Sequence, residues 1–435
     1  MKISSITWNL TIFTQILSAQ AFQLLPFRSH PHHLSNKAIF ATSEEPTQSN
    51  LIASINDYED RIPTDISNHR SGFVSIIGKP NMGKSTLLNS LLDQTLCITT
   101  PRPQTTRHSI LGIFSDDRNQ LCFLDTPGVI SKPGYKLQEE MNESIKGAFR
   151  DGDLILFVTQ MEVQDKESTT EENEGEDSDM EAFQKIFSIL QKTDKPIIVL
   201  INKCDLLQKL PDPEQDIALD KTIQKWRSLL PDAKCILPLS AAQNKDHPGF
   251  AVLKAILLAQ PDLTSHFRNL GKPRKGMFPS LQQMWLEPDD VWDYIPEGPP
   301  LYDANSISDR SERFFCSEII RKTIFQLFGK EVPYCCEILI VNFKEPTPEN
   351  PITRIRADIV VERDSQKGIL IGKQGKMIKQ IGMRSRTQLQ DFLQEDKVFL
   401  ELSVRVDKNW RRNEDRLIEF GYSKKKKKGS KKSKR

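Results

Sequence analysis

Short runs of aliphatic and β-branched residues recur along the chain, separated by stretches whose apolar positions return every three to four residues. The clearest runs are 73–77, 121–124, 153–158, 197–201 and 235–239, and a sixth, 108–114, alternates as an edge strand does. Strands interleaved with helices predict a doubly wound α/β sheet, with ligands beyond the carboxyl ends of the strands. After a proline- and glycine-rich stretch, 268–300, the pattern changes. A helix opens near residue 308, with Phe314, Phe315, Ile319, Ile320, Ile324 and Leu327 at helical spacing, and Asp309 with Glu312 suits its N-cap. Strand-like runs follow at 336–343 and 353–362. A glycine loop between two helical stretches comes next, and an alternating strand over 398–406 closes a smaller α+β domain.

The chemistry concentrates at the ends of the predicted strands. Gly78-Lys79-Pro80-Asn81-Met82-Gly83-Lys84-Ser85-Thr86 stands between the first strand and a helix, where a phosphate-binding loop belongs. Its glycines let backbone N–H groups turn toward phosphate oxygens, and the helix dipole adds positive potential there. Lys84 can reach the β- and γ-phosphates, and the Ser85 hydroxyl can hold Mg²⁺. Asp125-Thr126-Pro127-Gly128 leaves another strand tip. Asp125 can approach the same Mg²⁺ through water, and Gly128 can offer its N–H to the γ-phosphate. Asn202-Lys203-Cys204-Asp205 follows the next apolar run. The Asp205 carboxylate can accept both N1–H and the 2-amino group of guanine, Asn202 can brace the loops, and the Lys203 stem can lie over the base. Ser240-Ala241-Ala242, after the last strand, can place an N–H at guanine O6. Each string alone is weak. In this order, at these strand ends, they specify GTP.

The polar stretch Thr99 to His108 suits a switch, with threonines able to reach Mg²⁺ when it closes. His108 invites a catalytic-base reading, but its neighbours favour an RNA-facing or structural one. In the second domain, Gly372-Lys373-Gln374-Gly375 has the form of a G-x-x-G loop, which lets nucleic-acid backbone approach closely. Lys376 and Lys379 follow on the same helix, with Arg384 and Arg386 beyond.

Charge and composition set the boundaries. The chain has 435 residues and a formal charge of +2, unevenly spread: 162–181 holds ten acids and one lysine, and 424–435 holds nine bases and no acid. The first reads as a solvated insertion (160–182), and the second as a basic tail (423–435) that attracts phosphate without sequence choice. Seven cysteines without a C-x-x-C pair predict reduced core thiols rather than disulfides or zinc. Residues 1–21 read as a signal-peptide-like leader, with Lys2, an apolar stretch from Ile6 to Leu17, and Ala19-Gln20-Ala21. The acid-poor segment 22–60 reads as a transit peptide. Together they resemble the bipartite plastid presequences of algae with secondary plastids, with a mitochondrial presequence as the alternative.

The strings G-K-P-N-M-G-K-S, P-Q-T-T-R-H, D-T-P-G, N-K-C-D and S-A-A resemble those of the Era-type GTPases of the translation-factor-like class. The run from Ile307 to Tyr422, with I-G-K-Q-G-K-M-I-K-Q-I-G at 371–382, resembles the Era C-terminal type II KH domain. The resemblance implies a GTPase domain over 71–262, a linker over 263–307 and a KH domain over 308–422. It also implies Thr106 as the Mg²⁺-binding switch threonine, with Lys84, Thr106, Asp125 and Gly128 carrying hydrolysis. Val129 stands where Ras-like enzymes place a water-orienting glutamine, so unassisted hydrolysis is expected to be slow. Asn81 matches the loop asparagine that holds K⁺ in related potassium-activated GTPases. The implied partner is the 3′ region of small-subunit rRNA, in ribosome small-subunit assembly in a plastid. The competing reading is a signalling or membrane-associated GTPase using its basic tail on anionic lipids.

Overall fold

A computed structural model describes residues 69–130, 133–162, 184, 186–243, 247–258, 294–329 and 331–423. The leader, the acidic insertion, most of the linker and the basic tail lie outside the described residues.

The apolar runs form one six-stranded sheet. Its strands are β1 (Arg70–Ile77), β2 (Ile110–Ser115), β3 (Asn119–Asp125), β4 (Leu154–Gln160), β5 (Ile197–Asn202) and β6 (Cys235–Pro238), in the order β2-β3-β1-β4-β5-β6. All pairings are parallel except β2 with β3, the edge pair, as the alternation in 108–114 predicts. Helices packed on this sheet include α1 (Lys84–Leu92), α2 (Lys136–Asp151), α3 (Asp212–Leu229) and α4 (Pro248–Leu257). Because both faces are covered, the strands are apolar on both sides and build two cores. One contains Val74, Leu87, Leu200 and Phe250, and the other Ile77, Ile155, Ile201 and Trp226. This doubly wound order brings the carboxyl ends of β1, β3, β4 and β5 to one rim.

The second domain has α5 (Glu312–Leu327), β7 (Glu337–Lys344), β8 (Thr353–Val361), α6 (Asp364–Ile371), α7 (Lys376–Leu393), β9 (Val398–Val406) and a short α8 (Glu414–Glu419). Its sheet runs β7-β8-β9, with β8 and β9 parallel. Parity sorts its residues: Ile355, Ala357 and Ile359 face the helices and are buried, while Arg354 and Arg356 face away and are exposed. This is the helix–strand–strand–helix–helix–strand order expected of a KH domain.

One feature departs from the sequence reading. The helix opens at Glu312 after Ser311, without a side-chain cap, so Asp309 is not its N-cap. Residues 307–308 stay extended because they are held by β2: the Ile113 N–H donates to the Ile307 carbonyl (2.7 Å) and Ser308 Oγ to the Leu111 carbonyl (2.6 Å). The described end of the linker is built into the first domain. Glu297 bridges to Arg70, and the Gln120 side-chain amide holds the backbone of Leu301 and Tyr302. All seven cysteines are buried thiols outside any disulfide.

Candidate functional site

The phosphate loop follows β1 directly, and two of its glycines are enforced by their surroundings. A Cβ on Gly78 would lie 2.2 Å from the Val158 carbonyl oxygen. Gly83 has φ +88°, and a Cβ there would lie 2.3 Å from Asn202 Nδ2. Helix α1 begins at the next residue, with no acid in its first turn and no side-chain cap. Its first N–H groups therefore face the loop, a ready anion site. Lys84 arcs back over the loop, its Nζ donating to the carbonyls of Gly78 (3.0 Å) and Lys79 (2.8 Å). Burial pulls its ammonium down to about 8, with Asp125 opposing the shift.

Three side-chain oxygens converge beside it. Ser85 Oγ donates to Asp125 Oδ2 (2.7 Å) and lies 2.9 Å from Thr106 Oγ1. Asp125 is fully buried at the tip of β3, and its Oδ1 has no hydrogen-bond partner of normal geometry, with only the weak thiol donor of Cys97 beside it. Burial raises the Asp125 carboxyl above the usual range, opposed by the Ser85 hydrogen bond and by Lys84. Two hydroxyls and an under-coordinated carboxylate form an all-oxygen donor set, which fits a hard divalent cation such as Mg²⁺. Of the two switch threonines, Thr106 joins this set. Thr105 Oγ1 is taken up by Thr100 and by the Arg102 carbonyl.

The cleft over this set is lined by Asn81, Ser85, Thr100, Gln104, Thr106 and Gly128, among others. Asn81 is exposed and has φ +60°. Gly128 packs so closely that a Cβ would come within 2.5 Å of Pro80, which keeps its backbone against the phosphate loop. Thr126 is structural, its hydroxyl donating to the Ile76 carbonyl (2.8 Å).

At the base end, Asn202 braces two loops. Its Nδ2 donates to the Met82 carbonyl (2.8 Å) and its Oδ1 accepts from the Ala241 N–H (2.9 Å). Ser240 Oγ donates to Asp205 Oδ1 (2.6 Å), fixing the carboxylate plane. Lys203, in a left-handed conformation, reaches Gln160 (2.8 Å). Thus the N-K-C-D and S-A-A strings meet at one end of the cleft, with Ala242 exposed beside them.

The sequence reading missed how the second domain grips the switch. Arg107 is 4% exposed and spends its guanidinium across the domain boundary. It donates to the carbonyls of Cys336 (2.8 Å) and Pro333 (2.9 Å) and pairs with Glu337 (3.3 Å). Tyr422 also donates to Glu337, and its ring stacks on His108 at 4.0 Å, with Phe314 edge-on to the imidazole. Burial, reinforced by Arg321, Arg310 and Arg107, holds His108 well below its usual pKa. It is a neutral packing residue, neither RNA-facing nor a base at the cleft. The segment after Gly128 is held as well: Ile130, Leu137 and Met141 pack with Trp410, Leu417 and Phe420, and Arg411 lies 4.4 Å over the Tyr135 ring. These pairs are hundreds of residues apart, and no local pattern marks them.

The G-x-x-G loop stands away from these contacts. Gly372 and Gly375 have φ +71° and +75°, and Gln374 between them also has positive φ. Lys373, Gln374, Lys376 and Lys379 are exposed. Backbone and cations are therefore presented together at the start of α7.

A family model described as 50S ribosome-binding GTPase matches residues 73–203, and a KH domain model matches 320–411. The GTPase Era of Geotalea uraniireducens (strain Rf4) is 36% identical over 353 residues, covering 81% of this chain and 98% of its own. A chloroplastic GTPase ERA-like protein of Oryza sativa subsp. japonica is 33% identical over 386 residues, covering 87% of this chain and 75% of its own. Among solved structures, Aquifex aeolicus Era bound to GDP·AlF4⁻ superposes with a TM-score of 0.62 at 31% identity, covering 81% of this chain and 99% of that one. Era in complex with MgGDPNP and nucleotides 1506–1542 of 16S ribosomal RNA gives 0.62 at 31%, covering 82% of this chain and 99% of that one.

Proposed function

Because the chain belongs to the Era family of GTPases, we propose that it binds the 3′ region of small-subunit ribosomal RNA through its KH domain and assists small-subunit assembly in a plastid. The observation that carries this reading is the grip of the KH domain on both flanks of the nucleotide cleft, at Arg107 and at Ile130. Through it, the state of the nucleotide reaches the domain that presents Gly372 to Gly375. The Era complex with 16S ribosomal RNA supports the choice of RNA, and the chloroplastic relatives support the compartment. A fluorescent reporter fused to residues 1–60 tests the compartment: overlap with chlorophyll agrees, and a mitochondrial pattern overturns it.

In this reading Lys84 and the N–H groups of Gly83 to Ser85 bind the β- and γ-phosphates. The Gly128 N–H meets the γ-phosphate from the opposite side. Ser85, Thr106 and Asp125 would hold Mg²⁺, which would supply charge neutralisation at the phosphates. Asp205 and Ser240 select guanine. With Val129 in place of a water-orienting side chain, hydrolysis is slow unless charge is supplied otherwise, and Asn81 at the loop tip stands where a monovalent cation would supply it. Hydrolysis is expected to be faster in potassium than in sodium salts. Equal rates at matched ionic strength leave Asn81 as a loop former alone.

The RNA assignment is tested by two variants that separate sequence choice from charge. Lys373→Asp with Gln374→Asp puts negative charge where the backbone must pass, and both side chains are exposed, so the fold is retained. Preference for the rRNA 3′-end over a scrambled oligonucleotide should vanish, with weak salt-sensitive binding left. Deleting 424–435 should weaken binding to both RNAs, flatten the salt slope and keep the preference. A double variant that still discriminates moves specificity away from the loop.

A further inference from the structure

Helices α5, α6 and α7 cover one face of the KH sheet; on the other, Leu339 and Val360 pack against Trp410, Leu417 and Met141, and the opposite end is open. Across it runs a row made by strand register: Lys344 on β7, Arg354 on β8 and Phe399 on β9 are successive cross-strand partners. Phe399 is 50% exposed, and the Arg354 guanidinium lies 5.4 Å from its ring centroid. The next row is Asn342, Arg356 and Glu401, in which Arg356 and Glu401 pair at 3.7 Å. Beyond it Asp358 accepts from Ser403 and faces Arg405 at 3.7 Å. The acids of the face are thus paired within it. Among the described residues no acid pairs with Lys344 or Arg354, which leaves two cations in line on one side of a half-open aromatic ring.

We propose that this open face is a second RNA-contacting surface, on which a base stacks against Phe399 while Lys344 and Arg354 hold the adjoining phosphates. The inference rests on the reading of the KH domain as an RNA binder and extends its footprint. Two observations select RNA over a protein partner. Among the described residues of these three strands, the large exposed apolar side chains are Phe399 and Val341, too little for the apolar centre of a protein interface. The surplus charge is positive and in line with the aromatic, the combination that single-stranded nucleic acid uses. The face shares a strand with the G-x-x-G loop's support: β9 is an edge strand, and both α6 and α7, which flank the loop, pack on its other side. The loop precedes α7 and Phe399 follows its far end, about 27 Å of helix away, so only a strand longer than the loop itself holds reaches this row.

The test uses the full chain, one oligonucleotide of about four nucleotides that fills only the loop and one of about twelve that reaches the sheet. Wild-type protein should bind the longer one more tightly. Phe399→Ala with Arg354→Ala should weaken the longer one about tenfold, the loss of one base stack, and leave the shorter one unchanged. Phe399→Tyr, which keeps a ring, should restore most of the gain. Because both side chains are exposed, their removal opens no cavity. A double alanine variant that keeps the full gain with length overturns the proposal, as does a wild type with no such gain. The Lys373→Asp, Gln374→Asp variant reports on the underlying reading separately. If it binds the short oligonucleotide as wild type does, the loop assignment falls, and the longer oligonucleotide still decides the sheet face.

Discussion

Replacing Arg107 by alanine is expected to destabilise the folded protein by about 3–5 kcal/mol, the usual loss when one partner of a buried ion pair is removed. The side chain is nearly inaccessible and satisfies three acceptors that belong to the other domain: the carbonyls of Pro333 and Cys336 and the carboxylate of Glu337. Without it Glu337, itself 4% exposed, keeps only its bond from Tyr422. Two carbonyls lose their donor as well. Burial opposes the charge on Arg107, but Tyr422 and Glu337 outweigh it, so the guanidinium remains charged and the pairing is ionic. Arg107→Lys should recover only part of the stability, since an ammonium cannot reach three acceptors in the guanidinium's fixed fork. Thermal or denaturant unfolding measures this. An alanine variant as stable as wild type would mean that the domains are held elsewhere.

Asp205→Asn is expected to weaken GTP binding by about 2–3 kcal/mol, the loss of a charge-assisted hydrogen-bond pair, and to favour xanthine nucleotides instead. The geometry gives the reason. Ser240 donates to Asp205 Oδ1 and so orients the carboxylate. An amide keeps that bond only by turning its oxygen to Ser240, which points its NH₂ toward the base. Guanine offers N–H groups there and meets a donor with a donor. Xanthine offers an extra oxygen and is matched. Titration with GTP and XTP separates the cases, and unchanged GTP affinity would remove Asp205 from the base site.

What the sequence discloses and what it hides follows from the range of the forces involved. The phosphate loop, Asp125 and the N-K-C-D string are legible because each function needs particular residue types at a strand tip, and the strand tips are marked by apolar runs. Strand β9 is legible at both ends because one face of a half-covered sheet alternates strictly. The same alternation places Arg354 and Phe399 on the open face, but it does not tell that they are neighbours, which is set by strand register. The Asp309 cap failed for a related reason. The local spacing suits a cap, but tertiary bonds from β2 to Ile307 and Ser308 hold the chain extended up to Asp309, and the helix opens only at Glu312. Arg107 and His108 read as polar loop residues because their partners lie more than two hundred residues away. A charged residue abutting an apolar strand was the one available hint that it is buried and paired.

In the proposed function the state of the nucleotide is read by the RNA-binding domain through these contacts. Affinity for the small-subunit rRNA 3′-end should therefore be measured with the protein loaded with GDP and with a non-hydrolysable GTP analogue. Tighter binding in the GTP-like state, by at least about fivefold, is expected, with RNA raising affinity for the analogue over GDP by the same factor. The difference should disappear in Arg107→Ala. Equal RNA affinity in the two nucleotide states of the wild-type protein would contradict the account.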